Sequence, residues 1–198
     1  MPDDTSSDAY AERLQTSESV WWKRLFRAQA VYRRNLRRLK PGFTLDIGCG
    51  LGRNLGHLDG NGVGVDHNDA AVAEARRRGF DAFSPDEFAS SRYNVPGRFD
   101  ALLLAHVVEH MRYHEAVELV SRYLPYLKPG GRVILICPQE AGFRSDPTHV
   151  EFADFEVLRR LCTDIGLTVA KAYSHPLPRF AGRWFRYNEF VVVASPAA

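Results

Sequence analysis

Three glycines alternate in the run Leu45-Asp46-Ile47-Gly48-Cys49-Gly50-Leu51-Gly52, directly after a short apolar stretch, and a second carboxylate, Asp66, closes Val63-Gly64-Val65-Asp66. Alternating glycines let the backbone turn tightly and approach a bound nucleoside with no Cβ in the way. A carboxylate at the end of the next strand, about twenty residues on, can accept hydrogen bonds from both hydroxyls of a ribose. A glycine turn alone is shared by nicotinamide enzymes and by purely structural turns. Here Arg53 stands where a dinucleotide fingerprint places its third glycine, and Asp46 precedes the first glycine, so a nicotinamide oxidoreductase fits poorly.

A second group of residues suits proton transfer. His106 and His110 are one helical turn apart with Glu109 beside them, and His149 follows in Asp146-Pro147-Thr148-His149. Imidazole is the side chain best matched to base catalysis near neutral pH. Two other readings stay open. Glu109 and His110 would cap and orient the helix that follows, with His149 packing a loop, or the imidazole and carboxylate groups would ligate a divalent metal. The sequence assigns these residues to no metal ligand set.

The elements that must position these groups follow from pattern. Phe43 to Ile47 reads as a strand ending in glycines, Arg53 to Leu58 as a helix, Gly62 to Val65 as a buried strand, and Ala70 to Arg78 as a helix closed by Gly79. A weak strand at Asp81 to Ser84 precedes a strong one at Phe99 to Ala105. A helix from Tyr113 to Leu127 and a strand at Val133 to Cys137 come next. Asp154 caps a helix running to Asp164, and strands at Leu167 to Tyr173 and Tyr187 to Ala194 close the chain. Near-continuous apolar strands alternating with helices define a doubly wound, mostly parallel α/β sheet, whose ligands bind beyond the carboxyl ends of the strands.

Upstream, Trp21 to Leu39 spaces apolar residues helically between arginines, giving a basic amphipathic extension at residues 13–40 behind a disordered leader at 1–12 and before a domain at 41–198. Trp21, Trp22, Lys23, Arg24 and Arg27 suit phosphate contacts and base stacking, an acidic small molecule, or simple packing on the sheet. The aromatic run Pro176 to Phe190 is placed beside an acceptor pocket.

The chain resembles the class I S-adenosylmethionine (SAM)-dependent methyltransferases from about Phe43 to Ala194. The likeness rests on Leu45 to Gly52, on Gly64-Val65-Asp66, on Phe99 to His110, and on Leu127-Lys128-Pro129-Gly130-Gly131. It implies a seven-stranded sheet with an antiparallel last strand and SAM as cofactor. Asp46 and the glycines would lie near the methionine part, Asp66 on the ribose, and Ala105 and His106 against the sulfonium. The implied cofactor set is Asp46, Gly48, Cys49, Gly50, Gly52, Arg53, Asn54, Asp66, His67, Asp86, Glu87, Ala105 and His106. The adenine motif falls at Ser84-Pro85-Asp86-Glu87-Phe88, where the family's common Gly-Asp pair is missing, so Asp86 stands either at the adenine or as a helix N-cap. Catalytic candidates are His106, Glu109, His110 and His149. The last four also resemble the Glu-x-x-Glu-His plus later His pattern of small-RNA 3′-terminal 2′-O-methyltransferases, with His106 replacing the first Glu. A metal-assisted RNA 2′-O-methyltransferase is therefore the alternative to a small-molecule enzyme, beside a noncatalytic SAM-binding or partner-binding protein of the same fold.

The 198 residues, 45% hydrophobic, suffice for one core. A net charge of +2 gives no reason to require nucleic acid or an anionic membrane as a partner. Cys49, Cys137 and Cys162 are an odd number in apolar surroundings, the usage of a reducing compartment, and no targeting or membrane segment is readable, so a cytoplasmic protein is expected. The expected partner is a small-molecule acceptor; oligomeric state is not legible.

Overall fold

The computed structural model describes residues 29–196. Its centre is a seven-stranded sheet of order β3-β2-β1-β4-β5-β7-β6, built from β1 (Thr44–Ile47), β2 (Gly62–Val65), β3 (Ala82–Phe83), β4 (Phe99–Ala105), β5 (Leu127–Pro138), β6 (Leu167–His175) and β7 (Glu189–Pro196). The pairings among β1 to β5 are parallel, and β7 runs antiparallel to both β5 and β6. The chain order reverses between β1 and β4, so the crevice of the sheet opens at their carboxyl ends.

Helices cover both faces. We label the helical residues 29–39 α1; α2 (Arg53–His57), α3 (Asp69–Arg77), α4 (Pro85–Ala89), α5 (Tyr113–Tyr123), α6 (Glu140–Phe143) and α7 (Phe155–Asp164) follow. One face packs Leu102, Leu104, Val133 and Leu135 against Phe88 of α4, Val120 of α5 and Leu158 of α7. The other packs Leu103, Ile134 and Val193 against Leu36 of α1. Burial on both sides explains why β4 reads as an uninterrupted apolar run.

Boundaries shift where backbone chemistry overrides pattern. Pro125 ends α5 in a 3₁₀ turn at Leu124–Tyr126, shorter than the expected helix, and β5 begins at Leu127 rather than Val133. Asp154 caps α7 as expected, accepting from Glu156 and Val157 N–H. The leader and the Trp21 to Arg27 segment lie outside the described residues. No described helix is long and apolar enough to cross a membrane, and all three cysteines are free and buried.

Candidate active site

The glycine turn is left-handed at Gly48, Gly50 and Gly52 (φ 75°, 52° and 77°). At Gly48 a Cβ would come within 2.5 Å of Val107 Cγ2, and at Gly52 within 2.5 Å of the Phe80 ring. Only glycine satisfies both the dihedral and the space. Gly48 and Cys49 N–H donate to the Val65 carbonyl at 2.8 and 3.1 Å, tying the turn to β2.

Asp66 closes this ring. Its carboxylate accepts from Gly50 N–H at 2.7 Å and from Asn68 N–H at 2.9 Å while remaining 9% exposed. His67, beside it, is open to solvent. Asp46 is fully buried at the end of β1; Asn54 Nδ2 donates to one oxygen at 3.3 Å and the other has no partner. Burial, opposed by Asn54 and Arg53, pushes its carboxyl up to about 7.

The carboxyl ends of β1, β2 and β4 border an open cleft of about 300 Å³ lined by Gly48, Asp66, His67, His106, Val107 and His110, among others. A smaller cavity lies on the other side of His106 under α1, lined by Tyr32, Arg53, Asn54, Ala105 and Glu189. His106 is the wall common to both. It sits in the left-handed region (φ 60°), a cost of about 1–3 kcal/mol for a non-glycine residue that the surroundings must offset. They do so with charge: Nε2 lies 2.6 Å from Glu189 Oε1 and Nδ1 lies 3.3 Å from Glu109 Oε1. Burial opposes the imidazolium, but the two carboxylates outweigh it and raise His106 to about 9. Burial raises the Glu189 carboxyl, and His106 pulls it back. The Tyr32 ring packs edge-on to His106 at 6.3 Å.

Glu109 and His110 occupy a 3₁₀ turn, Val108–His110, and do not cap the following helix; Glu115 takes the Arg112 N–H at the start of α5. The Glu109 carbonyl instead accepts from Val150 N–H at 2.8 Å, drawing the 144–154 loop over the turn. That places His149 against His110, with ring centroids 4.8 Å apart. Asp86 does not line the cleft, and it is not the N-cap of α4. Ser84 is, with Glu87 completing the capping box and pairing with Arg76. Pro85 is the residue of that segment at the cleft wall.

Comparison with known proteins accords with this geometry. Residues 45–135 match the family model described as a methyltransferase domain. No match was found among curated proteins. Among solved structures, a SAM-dependent methyltransferase from Archaeoglobus fulgidus superposes with TM-score 0.61 at 21% identity over 84% of this chain and 93% of that one. Magnesium protoporphyrin IX methyltransferase from Synechocystis with bound S-adenosylhomocysteine gives 0.60 at 15%, over 85% and 84%. An O-methyltransferase of neocarzinostatin biosynthesis, solved with S-adenosylhomocysteine and 1,4-dihydroxy-2-naphthoic acid, gives 0.58 at 18%, over 80% and 50%. The chain has the fold of the class I methyltransferases.

Within this methyltransferase fold, sequence reasoning missed Glu189 and Tyr32. Glu189 opens β7 and lies 83 residues from His106, so no local spacing signals the pair. A hint was present in that a lone glutamate precedes the apolar run Phe190 to Ala194. Its placement depends on a buried amide network. Gln139 Nε2 donates to the Glu189 carbonyl at 2.9 Å and to Ser174 Oγ at 2.7 Å, and Asn188 Nδ2 donates to Gln139 Oε1 at 2.9 Å. The aromatic run from Pro176 packs onto this network through Gly182, against Gln139, and through Arg179, which is paired bidentately with Glu140.

Proposed function

We propose that this protein transfers a methyl group from SAM to a small-molecule acceptor by in-line displacement. The observation that carries the reading is the left-handed glycine turn clamped by Asp66 on the floor of the cleft between β1, β2 and β4. An adenosine fits there, its ribose hydroxyls against the Asp66 carboxylate, which retains lone pairs beyond the two it uses on backbone. The methionine end would extend along Gly48 toward Asp46, Arg53 and Asn54. Arg53 matches its carboxylate in charge, and Asp46, once ionised above about pH 7, its ammonium.

The sulfonium is an activated electrophile, so the protein's task is to hold a nucleophile in line at about 3 Å with water excluded. His106 stands between the two cavities, where the sulfonium would lie. The acceptor would enter over the His110 and His149 edge, and its proton would leave toward that edge. A small-molecule acceptor accords with the porphyrin and dihydroxynaphthoate enzymes of the same fold.

Calorimetric titration with SAM, S-adenosylhomocysteine and NAD tests the reading. Micromolar binding of the first two is expected. Binding of NAD with none of SAM would end it.

A further inference from the structure

Glu109, His110 and His149 each offer a ligand atom within 4.8 Å of the others. Glu109 has no exposed surface, and neither carboxylate oxygen has a hydrogen-bond partner. A buried carboxylate so placed is costly unless a cation answers it. The His106 Nδ1 at 3.3 Å does so only in part, because that ring is drawn closer to Glu189.

Both remaining imidazoles are oriented by their Nδ1 atoms. His149 Nδ1 lies 2.7 Å from the Phe143 carbonyl oxygen, so Nδ1 carries the proton and Nε2 keeps its lone pair. His110 Nδ1 faces the Thr148 carbonyl at 3.3 Å and Thr148 Oγ1 at 3.2 Å. The Thr148 hydroxyl donates to Asp146 Oδ1 at 2.6 Å and is left to accept from His110. Histidines that bind metals show this arrangement, one nitrogen fixed by a carbonyl or a carboxylate chain and the other free.

We infer that Glu109, His110 and His149 form a binding site for one divalent transition-metal ion of the Zn²⁺, Mn²⁺ or Co²⁺ type. Two imidazoles and one carboxylate favour such ions over Mg²⁺ and Ca²⁺, which prefer oxygen ligands. Metal–ligand bonds of about 2.0–2.2 Å would bring the donor atoms to about 3–3.5 Å from one another. The exposed His110 and half-buried His149 can close that gap around the buried Glu109. His106 is outside the set, since both its nitrogens face carboxylates. Three protein ligands leave positions open, and His110 lines the cofactor cleft, so those positions face the acceptor side. Only the use of the ion rests on the methyl-transfer reading; its site does not.

The test titrates chelator-stripped protein with Zn²⁺ and with Mg²⁺ by calorimetry, and follows Co²⁺ by visible absorption. One Zn²⁺ per chain at micromolar Kd or tighter is expected, with Mg²⁺ undetected at millimolar concentration. His149→Ala should weaken Zn²⁺ at least tenfold, and Thr148→Val, which breaks the Asp146–Thr148–His110 chain, by about tenfold. His114→Ala, an exposed histidine on α5 outside the cluster, should leave binding unchanged. Circular dichroism checks the fold of each variant, and Zn²⁺ should raise the melting temperature of the parent but not of His149→Ala. Absence of Zn²⁺ binding, or equal binding in a folded His149→Ala, overturns the site. SAM binding measured in parallel separates the two readings: SAM bound without Zn²⁺ refutes the metal site alone, and Zn²⁺ bound without SAM refutes only the cofactor reading.

Discussion

Replacing Asp66 with alanine removes one acceptor that holds the glycine turn at Gly50, one that holds the start of α3 at Asn68 and, in the proposed complex, those that hold the ribose. The Gly50 and Asn68 N–H groups donate to it at 2.7 and 2.9 Å. Charge-assisted bonds are worth roughly 1.5–3 kcal/mol each, but Asp66 lies at a cleft edge where water can replace part of the loss. A net destabilisation of about 2–3 kcal/mol follows, which lowers Tm by about 4–12 °C in a chain of this size. The ribose bonds, at about 1.5–3 kcal/mol, add a loss of SAM affinity of about 10- to 100-fold. Asp66→Asn keeps one carbonyl acceptor and should fall between the parent and Asp66→Ala in both respects. Thermal melts and SAM calorimetry on the same samples read the two effects separately. An unchanged Tm would refute the clamp on Gly50, and a folded variant with unchanged SAM affinity would remove Asp66 from the ribose.

Asp46 gives a pH prediction. Its pKa is raised by burial to about 7, so the folded state holds a proton that the unfolded state releases near pH 4. The stability linked to that proton is fully present below about pH 4 and lost as pH rises through 7, on the order of 4 kcal/mol at most. Denaturation of the parent and of Asp46→Asn at pH 5 and pH 8 should therefore show the variant gaining relative stability at the higher pH; a pH-independent difference contradicts it. Gly48→Ala combines a positive φ with a 2.5 Å approach to Val107 and should cost about 2–4 kcal/mol. A urea denaturation shift below about 0.5 kcal/mol would show that the turn relaxes.

The parts of the fold legible in the sequence were those with local causes. Gly62 to Val65 and Phe99 to Ala105 are strands with the bounds expected, because apolar runs between turn residues leave no alternative. Gly79 and Gly166 end their helices in the left-handed region. The N-cap alternative for Asp86 fails since Ser84, two residues earlier, makes the better cap, with Pro85 at the first helical position and Glu87 completing the box. The glycine turn and Asp66 were readable for the same local reason. Glu189 was not, because its role exists only after β7 inserts beside β5, and the partners of Glu109 depend on how the 144–154 loop folds back.

The sheet order β5-β7-β6 has a consequence for how the site comes into being. The strand that completes it is the last one made, yet it lies between two strands made earlier. During synthesis the half of the sheet from β1 to β4, with its glycine turn, can form while β5 and β6 still lack the strand that will join them. His106 then stands without Glu189, its left-handed backbone uncompensated. The half of the sheet that carries the glycine turn and Asp66 thus precedes the His106–Glu189 pair in time.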